Sequence, residues 1–198
     1  SHIATLICND FFPCSTPTFI RASTNRPNIV YTSGYQTRAQ DILDSIRQKI
    51  RDYADEDRMI VYFATKRNME FLANALGREA RVHTSEQSDS EKAEANADWR
   101  RGTVKCILAT SGFGEGIDYG HVRDVIFYSL PWSFEQYVQM SGRAGRDGKR
   151  ANSVLYFCQS FENGRERYIR GEESRKAYTV MKSFAMSLTE CKRLRISK

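Results

Sequence analysis

Two arginines in a glycine-rich stretch are the residues of this sequence whose chemistry is easiest to name. Arg143 and Arg146 lie within residues 139–148, where glycines flank them on both sides. On a helical end, side chains three residues apart project from nearly the same side. Two guanidinium groups held in this way suit the charge on a transferring phosphoryl group. The same composition is also typical of a turn on a solvated surface.

A second stretch, residues 109–118, carries three glycines at alternate positions. Glycine lets backbone amides approach an anion closely, and Thr110 adds a hydroxyl at the end of a predicted strand. In an open parallel sheet, ligands bind at the loops that leave the carboxyl ends of the strands. We therefore expect both stretches to lie at that edge of a sheet, although a flexible surface turn has the same composition.

The elements around these loops alternate between apolar runs and amphipathic stretches. A helix from about residue 36 ends at the charged turn 55–58. A further helix follows Ser88 or Asp89, and another follows Ser133, which forms a predicted capping box with Gln136. Strands separated by helices indicate an α/β fold, with a parallel sheet of five to six strands and helices on both faces. Five apolar runs predict strands, at residues 59–63, 80–83, 104–109, 125–128 and 153–158.

The pattern divides the chain into three parts. Residues 1–35 contain three of the four prolines and lack periodicity, so we expect an extended lead-in. Residues 36–160 form the predicted α/β core. Residues 161–198 mix basic and acidic side chains and predict a helical tail. The chain begins without a methionine and stops soon after Cys191, so we expect further natural sequence on both sides.

Composition limits the class of protein. Hydrophobic residues make up 40% of the 198 residues, which excludes a disordered or fibrous chain over most of its length. The 30 lysines and arginines exceed the 24 acids by six, which favours a polyanionic partner. Five cysteines without a Cys-x-x-Cys pair favour a reducing, intracellular compartment. No apolar run approaches the ~20 residues of a membrane span, and we expect neither a signal peptide nor membrane contact.

The order of these pieces resembles the second motor domain of superfamily 2 helicases, specifically the RecQ family. Residues 139–148 match all the fixed positions of that family's motif VI, Q-x-x-G-R-A-G-R-D-G. Residues 109–118 resemble motif V, and residues 60–66 are similar to motif IV. Upstream, Asn-Arg-Pro-Asn-Ile at 25–29 resembles the segment with which RecQ proteins enter this domain. The resemblance covers residues 20–160 and implies a RecA-like sheet.

The resemblance also implies a role for each matching residue in an ATP-dependent 3′–5′ DNA helicase. Arg146 would be the arginine finger, Arg143 a second phosphate or interdomain contact, and Gln139 a link between nucleotide and DNA. Gly116 and Asp118 would lie beside the nucleotide. ATP and Mg²⁺ are the implied cofactors of the full-length protein, and the missing first RecA-like domain is its implied partner.

Contacts to single-stranded and duplex DNA are implied in the same way. Thr65, Lys66 and Thr110 would bind phosphates of the single strand. His83 occupies a family position, but the sequence continues Thr-Ser-Glu where the family usually has Ala-Gly-Leu. A strand-end histidine with a satisfied hydrogen bond is therefore an alternative interpretation, and Thr65 has the alternative of capping its helix.

The sequence contains only half of an ATP site. It has no G-x-x-x-x-G-K-[ST] loop. The Asp-Glu-Asp-Arg at 55–58 follows a helix, so we interpret it as a solvated turn rather than a D-E-x-H box. We expect this chain alone neither to hydrolyse ATP nor to unwind duplex.

A cysteine near the end of the chain is a candidate metal ligand. Cys191-Lys192-Arg193 resembles the opening of the RecQ zinc-binding subdomain, and Cys191 would be the first Zn²⁺ ligand of the full-length protein. One thiol cannot complete a tetrahedral site, so we expect no metal in this chain. An ordinary helix cysteine is the alternative.

Two other functions are open at this point. A non-catalytic RecA-like module would bind nucleic acid or a partner and would have no use for both arginines. An RNA helicase of the DEAD-box type is the second alternative, but its motif VI usually begins H-R-x-G-R, whereas Gln139 and the Asn-Arg-Pro-Asn segment favour RecQ. For a eukaryotic member, the resemblance implies a nuclear location.

Overall fold

Six parallel strands form one sheet in the computed structural model of the chain, which describes residues 25–35, 38–113, 118–157, 162, 165–187 and 191–196. The strands are β1 Ile29–Tyr35, β2 Arg58–Tyr62, β3 Ala80–His83, β4 Cys106–Ala109, β5 Val122–Phe127 and β6 Ala151–Phe157. Their order across the sheet is β1-β6-β5-β2-β4-β3, and all neighbours run parallel.

The described ranges also contain six α-helices and two short 3₁₀ turns, Gly77–Glu79 and Arg165–Tyr168. None of these helices has the length and apolarity needed to cross a membrane. The helices are α1 Ala39–Asp52, α2 Lys66–Leu76, α3 Asp89–Arg101, α4 Phe134–Ser141, α5 Glu172–Met186 and α6 Lys192–Ile196.

The sheet is covered on both faces, and successive strand residues point to opposite sides. On β2, Met59 and Val61 pack in a cluster with α1 and α2, whereas Ile60 and Tyr62 pack in a cluster with α3, α4 and α5. Burial on both faces is the reason that these strands appear as continuous apolar runs in the sequence. The predicted α/β fold with helices on both faces is confirmed.

The strand that the sequence analysis missed is β1. It lies at the edge of the sheet and pairs with β6, from Ile29 beside Ala151 to Tyr35 beside Phe157. Its residues, Ile-Val-Tyr-Thr-Ser-Gly-Tyr, mix polar and apolar types and so form no continuous apolar run. Residues 29–35, expected within the lead-in, are therefore part of the sheet. The pairing also brings residues 25–28 beside the start of β6.

Two helices begin at serines, as predicted, with one difference. Ser88 forms a complete capping box with Glu91 at α3, because each residue's backbone amide donates to the other's side chain. At α4, Ser133 Oγ accepts from the Gln136 amide at 3.2 Å. Gln136 Oε1, however, accepts from the Trp132 amide at 2.9 Å. The reciprocal bond predicted for the Ser133 amide is therefore formed one residue earlier.

The last two helices are attached to the core. Met181 and Phe184 of α5 are buried, and the Phe184 ring lies 5.2 Å from the Tyr137 ring of α4. The Lys192 ammonium at the start of α6 donates to the carbonyl oxygens of Phe184 and Ser187 at the end of α5. A cation at the carboxyl end of a helix is favoured by the helix dipole. Lys192 thereby fixes α6 to α5.

Candidate functional site

The loop between α4 and β6, residues 142–149, carries both predicted catalytic arginines and is named the arginine loop. It consists of consecutive turns rather than a helical end. Gly145 adopts φ +54°, and a Cβ there would lie 2.5 Å from Asn28 Nδ2 and 2.7 Å from the Lys149 carbonyl oxygen. The Gly145 amide donates to the Val122 carbonyl oxygen at 2.8 Å. Both the left-handed backbone and the close neighbours therefore require glycine.

The arginine loop lies at the amino edge of the sheet, because Val122 is the first residue of β5. The expectation that this loop leaves the carboxyl end of a strand is wrong. The reason is α4, which begins after the carboxyl end of β5 and leads back to the start of β6. The two edges are about 17 Å apart, the length of the six-residue strand β5.

Arg146 and Asp118, both predicted beside the nucleotide, are in contact. Arg146 Nη1 donates to Asp118 Oδ1 at 2.9 Å. The Asp118 side chain is 89% exposed and the Arg146 side chain 37% exposed. Ion pairs this open to water are weak, so Arg146 can exchange the carboxylate for another anion. The structure thus brings together two predicted nucleotide-binding residues that are distant in sequence.

Arg143 lies inside the domain, with only 8% of the residue exposed. Its guanidinium forms a hydrogen bond with the Tyr62 hydroxyl, which donates to the Phe113 carbonyl oxygen at 3.1 Å. Burial raises the pKa of Tyr62, and the charges of Arg143 and Arg146 act in the opposite direction. Both arginines therefore lie near one hydroxyl, but only Arg146 is open to solvent. The contacts of Tyr62 connect the arginine loop with the glycine-rich stretch that contains Phe113.

Other segments hold the arginine loop in place. Arg26 and Asn28, from the Asn-Arg-Pro-Asn segment, donate to carbonyl oxygens of the loop. Arg123 of β5 pairs with the Asp147 carboxylate. Burial raises the pKa of Asp147, but bonds from the Lys149 amide and the Arg123 guanidinium outweigh it, so the net shift is downward. None of these contacts is predictable from the sequence, in which the one signal is the resemblance of residues 25–29 to a family segment.

Three further predictions concern Gln139, Gly116 and the charged turn at residues 55–58. Gln139 is exposed on the last turn of α4, and Gly116 lies outside the described residues. Asp55 and Glu56 are exposed in a turn before β2, which agrees with the interpretation of this stretch as a solvated turn. Arg58 at its end is buried, and its guanidinium donates to backbone carbonyl oxygens, including that of Asp57 at 2.8 Å.

The four predicted nucleic-acid-binding residues lie together at the carboxyl edge of the sheet. Thr65 and Lys66 follow β2, His83 ends β3, and Thr110 follows β4. The Thr110 amide donates to the His83 carbonyl oxygen at 3.4 Å, which joins two adjacent strand ends. Thr65 occupies the N-cap position of α2, but its side chain makes no capping bond. The alternative role of Thr65 as a side-chain cap therefore receives no support.

Lys66 forms an ion pair with Glu86, which lies in the loop after β3. The Glu86 side chain is 78% exposed. Glu86 is also the position where the sequence has an acid and the RecQ pattern usually has leucine. A carboxylate thus lies on the predicted phosphate-binding lysine, where it competes with an incoming phosphate.

The pKa of His83 is shifted in the direction that favours the neutral ring at pH 7. Burial lowers its pKa below the usual 6.5, and the nearby charge of Lys92 acts in the same direction. Its ring packs edge-on against Phe113, with ring centroids 4.8 Å apart. A phosphate contact by His83 at neutral pH would therefore depend on a hydrogen bond rather than on charge.

Cys191 is exposed at the start of α6. Over the described residues, no group of three or more His, Cys, Asp or Glu side chains is placed to hold a metal ion. A structural zinc site needs four ligands. The described residues around Cys191 therefore do not fit Zn²⁺.

A family model of the helicase conserved C-terminal domain matches residues 38–148, which is more than half of the 198 residues. The matched range contains all the predicted nucleotide- and nucleic-acid-binding residues and ends inside the arginine loop. The predicted Zn²⁺ ligand, Cys191, lies outside it.

Curated relatives carry helicase names. ATP-dependent DNA helicase Q1 of Mus musculus is 30% identical over 183 residues, which cover 89% of this chain and 28% of the relative. ATP-dependent DNA helicase Q-like 4B of Arabidopsis thaliana is 36% identical, covering 69% of this chain and 12% of the relative. ATP-dependent DNA helicase hus2/rqh1 of Schizosaccharomyces pombe is 32% identical, covering 70% and 10%. The chain thus spans less than a third of each of these relatives.

Solved structures share the fold. Mss116p DEAD-box helicase domain 2 bound to an RNA duplex superposes with a TM-score of 0.57 at 16% identity, covering 78% of this chain and 69% of that one. Dbp5 L327V of S. cerevisiae, bound to RNA and ADP BeF3, gives a TM-score of 0.62 at 16% identity, covering 95% and 47%. These likenesses confirm the RecA-like architecture. The family model shows that this chain belongs to the helicase conserved C-terminal domain family, and the Q-type relatives identify it as a RecQ member.

Proposed function

We propose that this chain is the second motor domain of an ATP-dependent 3′–5′ DNA helicase and that Arg146 is its arginine finger. The observation that carries the proposal is the position of Arg146, in a loop held by several other segments and paired with an exposed carboxylate at the surface. A fixed backbone and a replaceable partner suit a guanidinium that must meet a phosphate supplied by another domain.

The residues of this chain fit the half of an ATP site that contacts a nucleotide bound to another domain. ATP bound between two motor domains supplies the phosphoanhydride bond that is hydrolysed. Arg146 would leave Asp118 and donate to a phosphoryl oxygen, and the released Asp118 would lie beside the ribose. The phosphate-cradling loop and the carboxylates for Mg²⁺ would come from the first RecA-like domain. This chain alone would therefore not hydrolyse ATP.

The carboxyl edge would bind the phosphates of single-stranded DNA. Lys66 offers a positive charge, and Thr65 and Thr110 offer hydroxyl groups at the ends of neighbouring strands. Contacts of this kind give salt-dependent affinity with little sequence preference. The choice of DNA over RNA is supported by the names of the Q-type relatives. For a eukaryotic parent protein, the location would be nuclear.

Tyr62 would connect the two edges. Its hydroxyl contacts Arg143 from the arginine loop and the Phe113 carbonyl, three residues after Thr110. We assign Arg143 to this connection, because its burial gives no support to the expected second phosphate or interdomain contact. Gln139 is exposed on α4 and would face the neighbouring domain.

The test is DNA-stimulated ATP hydrolysis by the longer helicase that would contain this chain. Arg146→Ala should lower kcat by about 10³-fold or more, as expected for an arginine finger. Arg150→Ala is the matched control, because Arg150 is exposed in the same region and is expected to leave kcat unchanged.

Equal rates for the two variants would contradict the role of Arg146. ATP turnover by this chain alone would contradict the division of the ATP site between two domains. In either case the non-catalytic binding module would become the better interpretation.

A further inference from the structure

Arg26 is bonded to the backbone immediately before the proposed arginine finger. Its guanidinium donates to the carbonyl oxygens of Gly142 at 3.1 Å, Ala144 at 2.8 Å and Gly145 at 2.7 Å. A planar guanidinium with several fixed donors is suited to hold several acceptors at once. These carbonyls follow the end of α4, where a cation is also favoured by the helix dipole.

Asn28 adds a second donor to the same peptide group. Its side-chain amide donates to the Gly145 carbonyl oxygen at 2.8 Å and to the Lys149 carbonyl oxygen at 2.9 Å. The Gly145 carbonyl belongs to the peptide unit whose nitrogen is that of Arg146. This carbonyl accepts from both Arg26 and Asn28. The peptide plane that precedes the Cα of Arg146 is therefore fixed, and with it the direction in which the Arg146 side chain starts.

The segment that carries these two residues is itself held from α6. Arg193 donates to Asn25 Oδ1 at 2.9 Å, to the Arg26 carbonyl oxygen at 2.8 Å and to the Ile29 carbonyl oxygen at 2.5 Å. Its guanidinium also lies 5.5 Å from the centre of the Tyr31 ring. Arg193 thus contacts Asn25 and Ile29, on both sides of the residues that hold the arginine loop.

We propose that Arg193 and Arg26 are positioning residues that form a clasp from α6, through residues 25–29, to the arginine loop. The clasp makes the orientation of Arg146 depend on α6, the helix whose first residues resemble the start of a zinc-binding subdomain. A change in α6, such as one imposed by sequence that follows it, is transmitted to Arg146 through these hydrogen bonds. The catalytic consequence rests on the proposed role of Arg146, whereas the clasp itself does not.

The clasp is tested in this chain by hydrogen exchange at the Gly145 amide, which is bonded to the Val122 carbonyl oxygen. Arg193→Ala should speed exchange at Gly145 by about tenfold or more, because it removes several hydrogen bonds from a charged donor, which are stronger than neutral ones. Exchange at the Ile107 and Val125 amides of β4 and β5 serves as the internal reference. Arg195→Ala, on the same helix, is the matched control and should leave Gly145 unchanged.

Unchanged exchange at Gly145 in Arg193→Ala would overturn the clasp. If this variant opens the whole sheet, Arg193→Lys decides, because lysine keeps the charge but cannot reach all the acceptors. Faster exchange confined to residues 142–149 in Arg193→Lys supports the clasp, and equal exchange overturns it.

The catalytic consequence is tested with Arg26 in the longer helicase. Arg26→Ala should lower kcat by about tenfold while leaving the affinity for single-stranded DNA within twofold, and Arg26→Lys should restore only part of the rate. Equal losses of kcat and DNA affinity would overturn the positioning role. Exposed Arg38, which pairs with Asp41, provides the control Arg38→Ala. If Arg146→Ala itself has no effect, the proposed function fails, while the exchange result still decides the clasp.

Discussion

The two edges of the sheet differ in how tightly their candidate residues are held. At the amino edge, the arginine loop is fixed by Arg26, Asn28 and Arg123, and by a glycine for which no other residue fits. At the carboxyl edge, Lys66 has an exposed, replaceable partner in Glu86, as Arg146 has in Asp118, so the contrast lies in the bonds that hold the backbone of the arginine loop. Phosphoryl transfer depends on accurate placement of charge, whereas binding to a nucleic-acid backbone tolerates variation. The difference in anchoring thus matches the difference in proposed task.

The largest effect on the stability of this chain is expected from adding a methyl group at Gly145. Gly145→Ala should lower the free energy of unfolding by about 3 kcal/mol, because a left-handed residue gains a Cβ 2.5 Å from Asn28 Nδ2. Gly148→Ala is the matched control, with φ +81° but open space around the new Cβ, and should cost only about 1 kcal/mol. Urea unfolding of this chain measures both. Equal losses would contradict the tight packing of the arginine loop.

A smaller effect is expected at the connection between the edges. Tyr62→Phe removes the hydroxyl that joins Arg143 to the Phe113 carbonyl, so stimulation of ATP hydrolysis by single-stranded DNA should fall several-fold. Tyr156→Phe removes another partly buried hydroxyl, which is bonded to Ser45 of α1 on the opposite face of the sheet from Tyr62, and should leave stimulation unchanged. The ratio of ATP turnover with and without DNA is the measurement. An unchanged ratio in Tyr62→Phe would show that the edges communicate by another route.

Removing the competing carboxylate should tighten DNA binding modestly. Glu86→Gln frees Lys66 for a phosphate, so the affinity of this chain for single-stranded DNA should rise about two- to fivefold at low salt. Glu94→Gln, an exposed acid on α3, is the control for the change in net charge. Fluorescence anisotropy with a labelled oligonucleotide measures both. Equal gains in the two variants would assign the effect to net charge rather than to the ion pair.

The smallest effect is expected from His83. Because its pKa lies below 6.5, the imidazolium forms only as the pH falls below that value, and a bound phosphate favours the charged form. DNA affinity should therefore be flat between pH 8 and about pH 7 and should rise below pH 6.5. His83→Gln should reduce that rise. A pH profile identical in wild type and variant would remove His83 from the nucleic-acid site.

The sheet was largely predictable because its inner strands are buried on both faces. The apolar runs at the inner strands β2, β4, β5 and β6 appear directly in the sequence, and the strand predicted at residues 80–83 coincides with β3, which lies at an edge. β1 was missed because its residues, which include Thr32, Ser33 and Gly34, form no such run. The arginine loop was placed at the wrong edge because sequence spacing does not show that α4 returns the chain to the start of β6.

The sequence indicated which residues belong to the site, but it did not indicate which residues contact one another. The glycine and arginine motifs named Arg146 and Asp118, and the structure shows that they touch. The contacts of Arg26 and Arg193 join segments more than a hundred residues apart, and local patterns carry no information on such pairs. The Lys66–Glu86 ion pair was missed for the same reason, although the acid at residue 86 was visible as a departure from the family pattern.

The division of function between the two edges can be tested directly by measuring ATP turnover and single-stranded DNA affinity in the same variants. In the longer helicase, Arg146→Ala should lose about 10³-fold in kcat while keeping DNA affinity within twofold. Lys66→Ala should weaken DNA binding and lower its salt dependence by about one phosphate contact, with kcat at saturating DNA nearly unchanged. If Arg146→Ala weakens DNA binding as much as Lys66→Ala does, or leaves kcat unchanged, the assignment of hydrolysis to one edge and DNA binding to the other is contradicted.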